Sequence, residues 1–208
     1  MNNSIDTTAL FKIEYGLYVV TSNDGVKDNG CIVDAVMQVT STPARVAVTV
    51  NKDNYTHEII EKTRKFNLNC ITKDAPFELF ERFGFQSGRS ADKFHGLAYS
   101  RSQNSLAVLD EYVNSFMSLE VYLAIDLGTH TTFICDVSEA MVLSDKPTIT
   151  YSHYRSDVKP KPEKNADAPK KKGYVCTICG YVHEGDILPE DFVCPICKQG
   201  ASVFKEIE

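Results

Sequence analysis

Ala44, Val46, Val48 and Val50 alternate with Arg45, Ala47 and Thr49, the pattern of a strand with one face buried. The aromatic and β-branched run from Leu10 to Ser22 and the stretch Cys31 to Ser41 also read as strands. Turn signals at Asn23-Asp24-Gly25, Asp28-Asn29-Gly30 and Thr42-Pro43 separate them. Asn54 or Thr56 can cap a helix running to about Lys65, with Ile59, Ile60 and later Phe66 apolar. Phe66 to Thr72 is another strand, and Ala75-Pro76 opens a short helix through Phe83 that Gly84 closes. Arg89 to Asn104 is polar and irregular. Four strands follow, Ser105–Tyr112, Phe116–Leu127, His130–Leu143 and Pro147–Tyr154, with a turn at Asp126-Leu127-Gly128. Many strands and few short helices predict a closed or partly closed β-barrel, because closure removes exposed edges.

After Tyr154 the apolar pattern stops. Residues 155–172 are rich in Pro, Lys and Ala and carry almost no apolar side chains, so they are expected to be a linker. Asp157, Glu163 and Asp167 interrupt the lysines and argue against a nucleic-acid-binding run. The remaining residues, 173–208, form a segment of a size that usually needs a metal or disulfides to fold. It holds two C-x2-C pairs, Cys176/Cys179 and Cys194/Cys197. Each pair sets two thiolates on one tight turn, and two such turns can supply a tetrahedral four-sulfur cage for zinc or iron. The expected boundaries are a first domain over 1–154, a linker over 155–172 and a metal domain over 173–208.

Composition narrows the classes further. The chain has 208 residues, 43% hydrophobic, and a formal charge of −6, which argues against nucleic acid as a partner. No apolar run is long enough for a membrane span, and MNNSIDTTALFK lacks the features of a signal peptide. Cys31, Cys70 and Cys135 lie among apolar residues and read as core positions, and the cysteine usage suits a reducing cytoplasm. From Gly173 onward six acids face two lysines, so a protein taking electrons from that segment is expected to present basic residues.

There is no G-x-G-x-x-G and no P-loop. Instead, polar residues gather at strand ends and turns: Asn29, Gln38, Thr40, Ser41, Asn51, Lys52, Asn54, Thr56, Ser87, Arg89 and Lys93. Hydroxyls, amides and a few cations suit a phosphate and a heteroaromatic ring. Four stretches within 10–154, QVTSTP, VNKDNYTHE, FGFQSGRSADKF and DLGTHTTFICDV, resemble the flavin reductase-like, FMN-binding split-barrel family. That resemblance implies a mainly β, Greek-key split barrel with short helices, one non-covalent FMN per chain, and a homodimer whose interface helps form the flavin site. It assigns Thr40, Ser41, Asn54 and Thr56 to the ribityl phosphate, and Gln38 and the Asn29 backbone to the ring or ribityl chain. Asn51 and Lys52 belong to the same flavin-binding motif, VNKDNYTHE. Ser87, Arg89 and Lys93 would close over the cofactor from a loop, and His130 would stand on the nicotinamide-facing side. His57 reads as a helix-surface residue.

Tyr174-Val175, Gly180-Tyr181 and Cys194-Pro195-Ile196-Cys197 resemble rubredoxins, with Phe204 and Phe192 as core aromatics. The resemblance implies a rubredoxin-like domain with one iron per chain held by Cys176, Cys179, Cys194 and Cys197, and Ile178 and Ile196 over the metal. Lys198 stands where that family has Gly, so Gly200 is a candidate for the left-handed turn. The combination resembles the high-molecular-weight rubredoxins of anaerobic bacteria. It implies an oxidoreductase passing electrons from NAD(P)H through FMN and iron to an acceptor protein, a flavodiiron protein that reduces nitric oxide or oxygen. The alternative is a flavin reductase that releases reduced FMN, with a zinc ribbon serving for docking.

Overall fold

The computed structural model describes residues 7–160, 173–176, 181–194 and 200–207. The chain divides into two compact units, Met1–Lys159 and Pro160–Glu208. Among the described residues no helix is long and apolar enough to cross a membrane.

The first unit is built on one seven-stranded antiparallel sheet. Its strands are β1 (Tyr18–Asn23), β2 (Asp28–Val33), β3 (Val36–Ser41), β4 (Ala44–Asn51), β5 (Lys65–Ile71), β8 (Val113–Asp126) and β9 (His130–Val142). They lie in the order β2-β1-β5-β8-β9-β4-β3, and β6 (Tyr99–Arg101) with β7 (Ala107–Leu109) makes a separate ribbon. Helix α1 (Tyr55–Thr63) bridges β4 and β5, and α2 (Phe77–Phe80) runs into a π-helical turn, Glu81–Phe85. Val48, Val50, Phe66, Leu68, Leu119 and Phe133 pack on one side of the sheet, with Ile60 of α1. Leu17, Val19, Phe80, Phe83, Phe94 and Ile149 pack on the other.

With both faces of β5 covered, its alternate residues Asn67 and Asn69 are buried as well as its apolar ones. They are satisfied rather than stranded: Asn67 Nδ2 donates to Ser102 Oγ at 2.7 Å, and Asn69 Oδ1 accepts from the Leu109 amide at 3.1 Å. The polar stretch after Arg89 therefore contains β6 and, with β7, covers this face of β5 instead of lying wholly irregular.

Three other expectations are corrected. The strand expected from Leu10 begins at Tyr18, and Thr7–Lys12 forms a 3-10 helix. Pro147–Tyr154 is not a strand; it makes single bridges at Thr148 and Thr150 and then turns into α3 (Tyr151–His153). A π-helical turn over Tyr154–Val158 extends the fold into the stretch expected to be linker, because the Tyr154 ring packs at a tilt on Phe80 at 4.6 Å and Val158 packs on the same core. Residues 161–172 of that stretch lie outside the described residues.

The second unit has a three-stranded sheet, β11-β10-β12, from β10 (Gly173–Cys176), β11 (Val182–Glu184) and β12 (Phe204–Ile207). Phe192 meets Phe204 edge-on at 5.3 Å and lies parallel to Tyr181 at 6.5 Å, so the two rings expected inside are packed together. Gly200 has an extended backbone, φ −72°, and does not supply the left-handed turn considered for it; Lys198 is outside the described residues.

Candidate flavin and metal sites

Strand β4 separates the predicted flavin residues into two groups. Ser41 pairs with Ala44 at one end, whereas Asn51 ends the strand and leads into α1. At ~3.3 Å per residue the two ends are about 23 Å apart. Thr40 and Ser41 therefore do not share one phosphate with Asn54 and Thr56 of the same chain. Thr40 Oγ1 instead donates to the Pro43 carbonyl at 2.5 Å across the hairpin, and Gln38 Nε2 donates to the Thr40 carbonyl at 3.2 Å.

The group at the α1 end does converge. Asn54 holds an extended backbone before the first turn and its side chain does not cap the helix, which leaves the turn available to an anion. Thr56 is buried, and its Oγ1 accepts from Asn29 Nδ2 at 3.0 Å. The loop through Ser87 and Gly88 passes directly over Asn29: a Cβ on Gly88 would stand 2.0 Å from Asn29 Oδ1. Lys27 Nζ donates to the Gly88 carbonyl at 2.7 Å and ties the loop down. An uncapped helix start facing a glycine loop is a cradle whose donors fit the phosphate of FMN.

The cations near it are already matched. Arg89 makes a bidentate pair with Glu58, one arm at 2.9 Å, and lies over the Tyr55 ring at 5.0 Å. Lys52 Nζ donates to Asp126 at 2.6 Å, joining the β8–β9 hairpin to the start of α1. Lys93 does not reach the cradle. Its ammonium is buried and donates to the carbonyls of Gly30 at 2.8 Å and Phe83 at 3.3 Å, and burial pushes its pKa down. Its expected place over the cofactor is corrected: it holds β2 to the π-helical turn. His57 is likewise buried, with Nε2 2.8 Å from Thr131 Oγ1 and its ring 5.6 Å from Phe133.

His130 stands opposite Asn51 in the β4–β9 ladder, half-buried, with Nδ1 2.8 Å from Thr129 Oγ1. Asp34, at the corner between β2 and β3, was not singled out from sequence. Burial raises its pKa, while the amides of Ala35 and Asp34 and the charge of His130 oppose the rise. Because its folded pKa lies above the unfolded one, stability is greatest below the ordinary carboxylate range and falls as pH rises through the raised pKa. Asp34→Asn is therefore expected to raise the melting temperature by a few degrees at pH 7 and to leave it nearly unchanged near pH 4. Equal shifts at both pH values would show that the carboxyl pays no burial cost.

In the second unit, Cys176 ends β10 and Cys194 follows the Val193–Gly200 bridge; both are buried. Cys179 and Cys197, with Ile178 and Ile196, lie outside the described residues. Buried thiols supplied by β10 and by the segment before β12 suit the four-thiolate donor set of an iron site. His183 packs on Phe192 at 4.5 Å.

Residues 10–160 match the flavin reductase like domain family, and residues 174–205 match the rubrerythrin, rubredoxin-like domain. A high molecular weight rubredoxin from Moorella thermoacetica is 35% identical over 98% of this chain and 100% of its own length. The chain belongs to the high molecular weight rubredoxin family. A ferric-chelate reductase (NAD(P)H) from Archaeoglobus fulgidus is 33% identical over 78% of the chain and 96% of its own length. The fold also matches a Streptomyces globisporus NADH:FAD oxidoreductase, at 16% identity and TM-score 0.65 over 73% of this chain and 93% of that one. In this member of the high molecular weight rubredoxin family a flavin reductase-like domain precedes a rubredoxin-like one, and the chain is an electron-transfer oxidoreductase.

Proposed function

We propose that this chain carries electrons from NAD(P)H to an acceptor protein, with FMN held by the first unit and one iron ion by the second. The observation that carries the reading is the full-length match to a high molecular weight rubredoxin, joined to the order of the two family matches along this chain. The Archaeoglobus relative is described as using NAD(P)H, which supports a nicotinamide donor. When bound, FMN supplies the conversion of a hydride pair into single electrons, and iron in a thiolate cage supplies a one-electron relay.

The residues divide the work. The first turn of α1, with Asn54 and Thr56, holds the phosphate, and the Ser87–Arg89 loop covers it. Asn51 and His130 face the ring from the strand ends, and Asn29 keeps Thr56 in place. Cys176, Cys179, Cys194 and Cys197 hold the iron. The acidic surface around them steers a basic acceptor, a flavodiiron protein or a similar soluble carrier. Two chains pair through the apolar β8–β9 hairpin, where Tyr122 and Leu127 are 59% and 58% exposed.

Anaerobic titration with NADH, followed optically on a metal-analysed sample, tests this. Flavin and iron bands are expected to bleach together at about one iron per chain. Zinc in the tail, or an iron band that stays oxidised while the flavin is fully reduced, would support release of free reduced FMN instead.

A further inference from the structure

A second cavity opens at the end of the sheet away from α1. Its volume is about 520 Å³, within the ~300–1,000 Å³ typical of small-molecule sites. Tyr18 of β1, Leu68 and Cys70 of β5, Met117 of β8 and Val46 of β4 wall it, and Ile149 helps to close it. Of the residues assigned to the flavin only Gln38 lines it; Asn29, Asn54, Thr56 and Gly88 do not.

Two features say what it takes. The first is charge: Arg45 is the one charged residue in the lining, and it is already held by Asp136 at 2.7 Å and by the Tyr122 ring at 3.8 Å. A neutral occupant matches such a wall, because an ion would be desolvated without a partner. The second is an unused donor. The Tyr18 ring lies over Gly16, where a Cβ would stand 2.4 Å from the phenol oxygen, so only glycine permits this position. None of the hydrogen bonds among the described residues uses that hydroxyl, and burial raises its pKa, which keeps it protonated.

We propose that this cavity binds a neutral, largely apolar carbonyl compound, a ketone or quinone, whose oxygen accepts from the Tyr18 hydroxyl while its apolar body lies against Met117 and Val137. This site is separate from the phosphate cradle and does not depend on the electron-transfer reading.

The methionines make a direct test, since Met37 and Met117 line the cavity and Met141 does not. Full-length protein saturated with FMN and labelled at its methionine methyls is titrated with tetralone, a bicyclic aromatic ketone. Saturable shifts of Met117 and Met37 are expected, with Met141 unmoved. Tyr18→Phe should weaken binding about fivefold, the loss of one hydrogen bond, without changing FMN content. Ala140→Trp, at the exposed rim, should block binding without touching the core. Equal affinity for naphthalene, or no change in Tyr18→Phe, would remove the carbonyl anchor. Displacement of FMN by tetralone would make the cavity part of the flavin site. Met37 and Met117 signals that move with protein concentration alone would assign the opening to a second copy of the chain.

Discussion

Cys194→Ser is expected to abolish the visible absorption of the iron centre and all onward electron delivery, while reduction of FMN by NADH continues at the wild-type rate. Cys194 is fully buried at the start of the second C-x2-C pair, where the substitution would put a harder oxygen in place of one of the four proposed soft ligands. The loss of the four-sulfur spectrum should be complete, because serine supplies no thiolate. Cys135, whose thiol burial pushes up to about 12, sits in the core of the other unit and supplies the control. Cys135→Ser should keep both cofactors. Iron retained in Cys194→Ser with an unchanged visible spectrum would displace this residue from the ligand set.

Gly88→Val is expected to weaken FMN binding by about 10- to 100-fold, equivalent to ~1.4–2.8 kcal/mol. The new Cβ would fall 2.0 Å from Asn29 Oδ1, so either the loop lifts or Asn29 swings away from Thr56. A buried hydrogen bond broken in this way costs ~1–3 kcal/mol. Fluorescence titration of FMN into apoprotein reads the affinity, and a melting curve of the same apoprotein shows whether the fold is intact. A folded variant with unchanged affinity would remove the 87–89 loop from the flavin site.

The metal pairs were legible from sequence because their spacing is itself the chemistry. Strand β4 was legible because Val46, Val48 and Val50 on one face are buried while Arg45 and Thr49 on the other are only partly so. Strand β5 kept its strand character, but nothing local revealed that Asn67 and Asn69 are buried, since the partners that cover them, Ser102 and Leu109, arrive 35 and 40 residues later. His57 and Lys93 were misplaced for the same reason. The partners that bury them, Thr131 for His57 and Gly30 for Lys93, are 74 and 63 residues away. Asp34 escaped notice because an acid in a strand ordinarily faces water. The two ends of β4 were merged because motif order along a chain carries no distance; a strand of eight residues does.

The clamps on the glycine loop bear on how the flavin is retained between turnovers. Lys27 fastens the loop from the β1–β2 turn, and Arg89 fastens it to Glu58 on the helix. On the proposed reading, a flavin seated beneath it would depart only when both fastenings open together, so its residence would be governed by a gate and not by grip alone. A carrier that has to stay loaded while it passes on single electrons, as proposed, would be served by such a slow exit.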